Sequence, residues 1–264
     1  MKRKGASHLK DTQNERDYRR VPIDRVGVKN LRFPLRIRDR DHTEQSTVAV
    51  VSLAVDLPHH YKGTHMSRFV EILHAHGNVL TVADIAAMPR ELMKRLDAKK
   101  AHVELRFPYF RAKKAPATGA EGLLDYGVVF QVNAEKQELD FVVTVEVPVT
   151  TLCPCSKAIS TRGAHNQRGI VTFSIRFTKP VWIEEMIELV ESSASCELYS
   201  LLKRPDEKHV TETAYDNPVF VEDLVRNVAL KARRHKYITW FRVEAENHES
   251  IHNHNAYAVV ESGA

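Results

Sequence analysis

The segment TLCPCSKAISTRGAHNQRG, residues 151–169, concentrates residue types that bind metals or act as nucleophiles. Cys153 and Cys155 flank a proline, and His165 follows ten residues after the second cysteine. A cysteine thiolate and a histidine imidazole are common ligands of zinc and similar divalent ions. Their spacing is not that of a zinc finger, however, and the same residues fit a cysteine nucleophile activated by histidine. The segment therefore predicts either a metal site or a covalent catalytic site.

Two further segments carry residues of the same chemistry. Near the C-terminus, ENHESIHNHNAY (246–257) contains Glu246, His248, Glu249, His252 and His254. A solvated polar turn explains its asparagines, but three histidines within seven residues are difficult to explain in that way. The segment LLKRPDEKHVTE (201–212) combines cations, carboxylates and a histidine, and by itself is also typical of a solvated loop.

Together the three segments offer a thiolate, imidazoles and carboxylates, which match the mixed ligands of a catalytic ion with an open position for water. Such an ion brings the pKa of bound water down to about 7. The residue types therefore predict metal-assisted hydrolysis, with a nearby histidine or glutamate transferring protons.

The composition limits the class of protein. Of 264 residues, 43% are hydrophobic and 28% charged, which is typical of a globular protein. No window reaches the apolar length of a bilayer span, so we expect a cytoplasmic protein without a membrane partner. Three cysteines make a disulfide framework unexpected, and we predict that Cys196 is buried and inert. The net charge of +5 is spread along the chain; it suits a phosphorylated substrate and indicates no nucleic-acid partner.

The hydrophobic periodicity predicts the same order of elements twice, ββααββ, in an α+β fold. In the first half the predicted strands are 28–38, 46–57, 100–109 and 124–133, and the predicted helices are 66–77 and 82–97. In the second half the predicted strands are 138–147, 170–177, 239–246 and 255–261, and the predicted helices are 182–193 and 217–235. A tandem duplication explains this order. We predict a flexible N-terminal arm (1–20), a first unit (21–134) and a second unit (135–264) that carries the metal site.

Some local signals predict where helices begin and end. Thr81 and Asp84 form a potential capping box, and Pro89 is expected to divide its helical stretch in two. Asn217 is expected to cap the last helix, with Pro218 at its first position. Between Val149 and residue 168 we expect a loop of about twenty residues, a length that is usually functional.

At these residues the chain closely resembles the type IB GTP cyclohydrolases, a family that performs the first step from GTP toward folate. The motifs that carry the resemblance are GTHMSRF (63–69), CPCSKAIS and GAHNQRG (153–169), LLKRPDEK (201–208), NPVFVED (217–223) and ESIHNH (249–254). They occur in the family's order and cover nearly the whole chain after the N-terminal arm. The resemblance implies the tunnelling fold, whose repeat is the ββααββ unit, with antiparallel barrels formed on oligomerisation and a homotetramer as the assembly.

The resemblance also implies roles for individual residues. The implied metal ligands are Cys153, His165, Glu207 and His252, with Cys155 as the alternative to Cys153. The implied anchor of the guanine base is Glu222, although an acidic residue in a first helical turn is ordinarily just a partner of the helix dipole. The candidates for catalytic proton transfer are His248, Glu249 and His254. The candidates for binding the triphosphate are Lys157, Arg168, Lys203, Arg204 and Lys208. Further substrate contacts are expected from His65, Ser67 and Arg68, in some cases from a neighbouring subunit.

The implied reaction consumes GTP and water, opens the guanine imidazole ring at C8, releases formate and yields 7,8-dihydroneopterin triphosphate. The implied cofactor is one divalent ion per subunit, and zinc, manganese and iron are all candidates because a carboxylate ligand suits harder ions. Three alternatives remain: a relative that makes a cyclic-phosphate product, a nitrile reductase of the same fold, and a purine-nucleotide binding protein without turnover. The absence of a dinucleotide-binding motif counts against the reductase.

Overall fold

The computed structural model describes residues 11–13, 15–41, 43–77 and 79–263. The strands are β1 (Ile23–Arg38), β2 (Glu44–Leu57), β3 (Lys100–Lys114), β4 (Glu121–Glu135), β5 (Glu138–Leu152), β6 (Asn166–Phe177), β7 (Cys196–Glu197), β8 (Ile238–Asn247) and β9 (Ala256–Glu261). The helices are α1 (Met66–Ala75), α2 (Val82–Leu96), α3 (Pro154–Ile159), α4 (Ile183–Glu191), α5 (Arg204–Asp216) and α6 (Val221–Arg234). The strands pair in the order β1-β2-β3-β4-β5-β6-β8-β9, and β7 pairs with β5. This large sheet with helices confirms the predicted α+β class, and no helix in the described ranges has the length and apolarity to cross a membrane.

The first compact unit comprises the chain up to Pro34 together with Val50–Leu105 and Gln131–Asp140. Helices α1 and α2 pack against each other here, and both have a clearly amphipathic pattern. The buried helical side chains are Phe69, Ile72 and Leu73 on α1 and Ile85, Met88, Pro89 and Leu92 on α2. The strand residues alternate between buried and exposed positions, as a half-buried sheet requires.

Helix α2 confirms one local prediction and corrects another. Thr81 and Asp84 form the predicted capping box, in which each side chain accepts from the other's backbone N–H. The prediction that Pro89 divides the helix was wrong, because α2 continues through it. Proline removes one helical hydrogen bond, but Pro89 lies on the buried face beside Met88, where apolar packing offsets that loss.

The segment that was predicted as a flexible arm is partly held in place. Residues 1–10 lie outside the described residues. Farther along, Gly63 N–H donates to the Gln13 carbonyl at 3.1 Å, Arg16 bridges to Tyr61, and the Lys62 ammonium pairs with Glu15 at 2.6 Å. The described part of the arm is therefore bound to residues 60–64 of its own unit, a long-range contact that local polarity does not reveal.

The second compact unit comprises Leu35–Ala49, Arg106–Phe130 and the chain from Phe141 onward. Strands β5, β6 and β8 are antiparallel, so that Val145 pairs with Phe173 and Phe173 with Val243. All three of these side chains are fully buried. Helix α6 packs against β8 and buries Leu224 and Val228, while α4 packs against β6 and α6. The predicted period-two strands at 138–147 and 170–177 are confirmed.

Neither compact unit is one continuous stretch of the chain, and the predicted boundary of 134/135 stays a prediction. Strands β1 to β4 are 14 to 16 residues long, and each contributes residues to both units. The second unit therefore includes chain segments from the first half of the sequence. The tandem duplication, which rests on the order of elements, stays a prediction.

Helix α5 was predicted as a loop and is a regular helix. It begins at Arg204 and has Pro205 in its first turn, where proline is favourable. It ends at Asp216, and Asn217 is its C-terminal cap. Asn217 was expected to cap the next helix, but it closes α5 instead, and its amide donates to the Ala194 carbonyl at 2.9 Å. Helix α6 begins only at Val221. A charged helix with few apolar residues gives a weak periodic signal, which explains the error.

A buried charge network joins β3, β4 and α4 in the second unit. Lys113 and Glu191 are 9% and 8% exposed, and the ammonium lies 2.8 Å from the carboxylate. The Tyr126 hydroxyl donates to the same carboxylate at 2.7 Å, and Lys113 also pairs with Glu197 at the edge of the network. Burial and the nearby carboxylate raise the pKa of Tyr126, and burial raises the pKa of Glu191 despite its pairing with Lys113.

Replacing Lys113 by methionine is expected to lower the free energy of unfolding by about 3–5 kcal/mol, because the buried Glu191 loses its nearest cation and keeps only the Arg111 guanidinium, 3.9 Å away, and the Tyr126 hydroxyl. The matched control is Lys114→Met on the same strand, where the lysine is 74% exposed and pairs with an exposed glutamate. Its effect should be within about 0.5 kcal/mol. Urea unfolding at neutral pH measures both values. Adding Glu191→Gln to Lys113→Met should recover part of the loss, and equal losses for Lys113→Met and Lys114→Met would contradict the assignment.

Candidate functional site

The β5–β6 pair brings the two central predicted residues opposite each other. The strand register pairs Thr151 with Gln167 and Leu152 with Asn166. The Cys153 N–H donates to the His165 carbonyl at 3.0 Å, which continues this register by one pair beyond the strands. Directly opposite residues have Cβ atoms about 4.5–5.5 Å apart. Because side chains alternate between faces, Thr151, Cys153, His165 and Gln167 share one face of the pair.

The sulfur of Cys153 occupies a defined position at the start of α3. Cys153 is half-buried and caps this helix, and its Sγ accepts from the Ser156 N–H at 3.4 Å. Cys155, in contrast, is exposed. The segment that was predicted as a loop of about twenty residues is shorter, because β5 continues to Leu152 and α3 occupies Pro154–Ile159. Cys196 is buried as predicted, and burial raises the pKa of its thiol.

The His165 side chain is held by a buried glutamine. Its Nδ1 lies 3.0 Å from the Gln167 Oε1, and the Gln167 Nε2 donates to the Thr151 Oγ1 at 2.9 Å. Gln167 is 8% exposed and Thr151 is fully buried. With the Gln167 amide in this orientation, its Oε1 accepts from the His165 Nδ1, which assigns the proton to Nδ1 and leaves a lone pair on Nε2.

Glu249 approaches the same histidine from the neighbouring strand. Strand β6 pairs with β8 up to Gly169 opposite Asn247, and the His248 N–H continues this pairing by donating to the Arg168 carbonyl at 2.9 Å. The Glu249 Oε2 lies 3.8 Å from the His165 Nδ1, and the Glu249 side chain is only 10% exposed. The sheet therefore places a carboxylate beside the imidazole.

The other C-terminal histidines lie in the connection between β8 and β9. His252 and His254 are exposed, and their rings are stacked with centroids 5.1 Å apart. His248 is also exposed, and its Nδ1 lies 3.4 Å from the Asn255 amide nitrogen. The connection runs from His248 to Asn255 and begins directly after β8, which ends at Asn247. These imidazoles therefore lie at the same end of the sheet as His165.

Helix α5 carries two adjacent carboxylates, Asp206 and Glu207, that lie in different environments. Asp206 is fully buried and accepts from the backbone N–H groups of Ala117, Thr118 and Lys203 at 2.8–2.9 Å. Burial alone would raise the pKa of Asp206, but the hydrogen bonds from Thr118, Lys203 and Ala117 outweigh it and hold that pKa below its usual range. Asp206 therefore fixes the first turn of α5 to the β3–β4 turn, while Glu207 is exposed and available to a ligand.

The donor chemistry fits a divalent ion, but only part of the predicted set is brought together. Cys153 and His165 are neighbours, and His165 has the free Nε2 and the anchored Nδ1 that metal-binding histidines usually have. Within the described ranges, no three His, Cys, Asp or Glu side chains converge closely enough to hold an ion. The participation of Glu207 and His252 stays a prediction.

The predicted substrate-binding residues of the second unit lie at exposed positions. Glu222 is the second residue of α6, and in the described structure its carboxylate forms no ion pair. The predicted cations Arg168, Lys203 and Arg204 are also exposed. Two other cations are already engaged: Lys157 donates to the Tyr215 carbonyl and lies 4.2 Å from that ring's centroid, and Lys208 pairs with Glu212 at 3.8 Å.

The predicted contacts in GTHMSRF belong to the first unit. His65 precedes α1 and is half-buried, and its Nε2 lies 3.3 Å from the Asp11 carboxylate. Ser67 and Arg68 are exposed in the first turn of α1, and the Arg68 N–H donates to the His65 carbonyl. These contacts account for the local fold of the turn, and the substrate role of the three residues stays a prediction.

A cleft of about 560 Å³ in the second unit contains none of the predicted site residues. It lies beside the buried charge network, and its lining includes Lys113, Glu191 and His209. Arg111 and Glu188, which also line it, hydrogen-bond to each other. Several of its charged groups are thus paired within the protein.

The sequence analysis missed the residues that support the site, namely Gln167 and Thr151. Strand periodicity places Gln167 on the same face as His165, two residues away, and Thr151 on the same face as Cys153, two residues away. The pairing of Thr151 with Gln167 depends on the strand register. Gly169 was also missed. A Cβ at this glycine would lie 2.6 Å from the Asn247 Oδ1, so a larger residue there would displace the buried Asn247 side chain.

Solved structures show the fold in other proteins. The uricase from Arthrobacter globiformis aligns with a TM-score of 0.51 and 10% identity, over 90% of this chain and 92% of that chain. The urate oxidase from Bacillus sp. TB-90 aligns with a TM-score of 0.53 and 10% identity, over 91% of this chain and 99% of that chain. At this level of identity the likeness shows the fold alone.

Sequence relatives are much more similar. GTP cyclohydrolase FolE2 of Akkermansia muciniphila is 66% identical over 256 residues, which is 96% of this chain and 97% of that protein. GTP cyclohydrolase FolE2 of Magnetococcus marinus is 53% identical over 255 residues, which is 97% of this chain and 96% of that protein. The model of the family described as type I GTP cyclohydrolase FolE2 matches residues 9–258. The chain therefore belongs to the FolE2 family of type I GTP cyclohydrolases.

Proposed function

We propose that this chain is a metal-dependent GTP cyclohydrolase, which converts GTP and water to 7,8-dihydroneopterin triphosphate and formate in the first step of folate biosynthesis. The observation that carries the proposal is the pairing of Cys153 directly opposite His165, with Glu249 beside that imidazole, in a chain whose family match spans residues 9–258. All three cysteines are free thiols, which suits an enzyme of the reducing cytoplasm.

The proposed metal ligands are Cys153, His165, Glu207 and His252. Zinc, manganese or iron bound by them would act as a Lewis acid and lower the pKa of a bound water to about 7. The half-buried Cys153 and His165 form the ordered part of the set, whereas Glu207 and His252 are exposed. Exposed ligands can move toward an ion when it binds, so we expect metal binding to order the β8–β9 connection.

The remaining site residues bind and orient GTP. Glu222 accepts from the guanine N1–H and the exocyclic amine, a pattern that the edge of adenine does not offer. Arg168, Lys203 and Arg204 neutralise part of the triphosphate charge. Glu249, 10% exposed and beside His165, is the best placed of the three proton-transfer candidates, because burial excludes competing water.

The proposed assembly is a homotetramer of chains that each contain two tunnelling-fold units. Two features support self-association. Strands β1 and β9 end the pairing order, so their outer backbone groups are available to strands of another copy. Around the candidate site, large apolar side chains are exposed, among them Ile159 at 85% and Ile251 at 63%. Such exposure is typical of surfaces that a partner covers.

Metal reconstitution tests the proposed activity. Protein stripped of metal should release no formate from GTP, and adding zinc, manganese or iron should restore both formate release and pterin fluorescence. Both readouts should rise together, whereas simple nucleotide binding gives neither. Chromatography of the product separates the triphosphate from the cyclic phosphate that the alternative enzyme would make. Absence of formate with all three ions, in protein that is folded by circular dichroism, would contradict the proposal.

A further inference from the structure

A buried hydrogen-bond chain runs from the core of the sheet to the His165 imidazole. Thr151 Oγ1 accepts from the Gln167 Nε2, and the Gln167 Oε1 accepts from the His165 Nδ1. The first two residues are almost completely buried, so their side chains have few alternative partners. The chain is formed by strand register, because Thr151 and Gln167 are directly paired and His165 is two residues from Gln167.

The direction of these hydrogen bonds determines the chemistry of His165. In the orientation that the structure shows, Gln167 donates through Nε2 to the Thr151 hydroxyl and presents its Oε1 to the histidine; the opposite orientation would present the NH₂ group. An amide oxygen accepts only, so the imidazole is held with its proton on Nδ1 and its lone pair on Nε2. Without this contact a neutral histidine populates both tautomers, and its ring rotates more freely. An outer partner that fixes the tautomer of a ligand typically contributes ten- to hundredfold to metal affinity.

We propose that Gln167 is the positioning residue of the metal site: it selects the Nδ1–H tautomer of His165, and Thr151 holds Gln167 in the orientation that does so. The inference rests on the proposed function, in which His165 is a metal ligand. Both ends of the Gln167 amide are engaged, one by Thr151 and one by His165, so Gln167 acts through the histidine. Among the described residues, Glu249 is the only charged side chain within ion-pair distance of this nitrogen, at 3.8 Å.

The first test uses the unchanged protein. In metal-free protein labelled with nitrogen-15, the His165 ring nitrogens should show the chemical shifts of the Nδ1–H tautomer. Predominance of the Nε2–H tautomer would overturn the inference directly, whatever the stability of any variant.

The second test compares variants by their zinc and manganese dissociation constants, measured by competition with a chelator. Gln167→Met should raise both constants by about ten- to hundredfold. Gln167→Glu should restore much of the affinity, because its carboxylate still accepts from His165 and the Thr151 hydroxyl can donate to it. Thr151→Val should give an intermediate loss. The matched control is Gln131→Met, which removes a half-buried glutamine that hydrogen-bonds to Glu104 in the first unit; its affinity should be unchanged.

Comparison with His165→Ala separates this inference from the proposed function. If His165→Ala abolishes metal binding while folded Gln167→Met binds as tightly as the parent protein, only the positioning role is wrong. If His165→Ala itself leaves metal affinity unchanged, the proposed ligand set fails and the role of Gln167 fails with it. A loss for Gln167→Met that Gln167→Glu does not rescue would mean that packing, rather than hydrogen-bond acceptance, is what Gln167 supplies.

Discussion

Replacing Cys153 by serine is expected to lower both metal affinity and the rate of formate release at limiting metal by more than about a hundredfold. The expected size follows because a direct ligand contributes more than the ten- to hundredfold typical of an outer partner. Serine is a favourable residue at the start of a helix, so it can replace the Cys153 sulfur as acceptor of the Ser156 N–H. The substitution therefore keeps α3 and removes only the sulfur ligand.

The matched control is Cys155→Ser. Cys155 lies two residues away, on the same short helix, and it is exposed rather than half-buried. Its replacement should leave metal affinity and turnover within a few-fold of the parent protein. Metal content after gel filtration and formate release are the measurements. The reverse pattern would assign the sulfur ligand to Cys155, and unchanged binding in both variants would remove sulfur from the site.

Glu222→Gln is expected to lower kcat/KM for GTP by on the order of 10²- to 10⁴-fold. A carboxylate that accepts from two guanine donors forms two charge-assisted hydrogen bonds, each contributing about 1.5–3 kcal/mol. Their sum is about 3–6 kcal/mol, and each 1.36 kcal/mol corresponds to tenfold in rate. The glutamine has the same shape but presents an NH₂ group to at least one guanine donor, so it cannot replace the carboxylate.

The control for this prediction is Asp223→Asn at the next residue. Both carboxylates lie in the first turn of α6 and interact with its dipole, but Asp223 pairs with Arg226 at 3.2 Å. We expect Asp223→Asn to change kcat/KM by less than about threefold, as surface charges contribute little. Inosine triphosphate, which lacks the exocyclic amine, provides a second readout, because the preference for GTP over it should shrink in Glu222→Gln. Equal losses of kcat/KM in the two variants would mean that Glu222 interacts only with the helix dipole and does not bind guanine.

Local sequence patterns gave wrong predictions at three places, in α2, in α5 and at the start of α6. The segment 201–212 was predicted as a loop because its charges obscure the apolar stripe on which helix prediction depends. Asn217 is a good cap by residue type, but it ends α5 and donates to a carbonyl 23 residues away. Pro89 breaks helices by its local chemistry, but the buried face of α2 retains it. For Asn217 and Pro89, a contact outside the local segment outweighed a local preference.

The sequence by itself determined the α+β class, the eight main strands, the buried state of Cys196 and the family, because these depend on periodicity, composition and motifs that are written along the chain. Tertiary structure decided that Gln167 and Thr151 support His165, that Glu249 lies beside it, that Asp206 is buried while Glu207 is exposed, and how the long strands divide between the compact units. These features depend on which residues face each other across strands and between elements. Strand register and packing bring together residues that are far apart in the chain, and a local sequence pattern does not show which distant residues will be in contact.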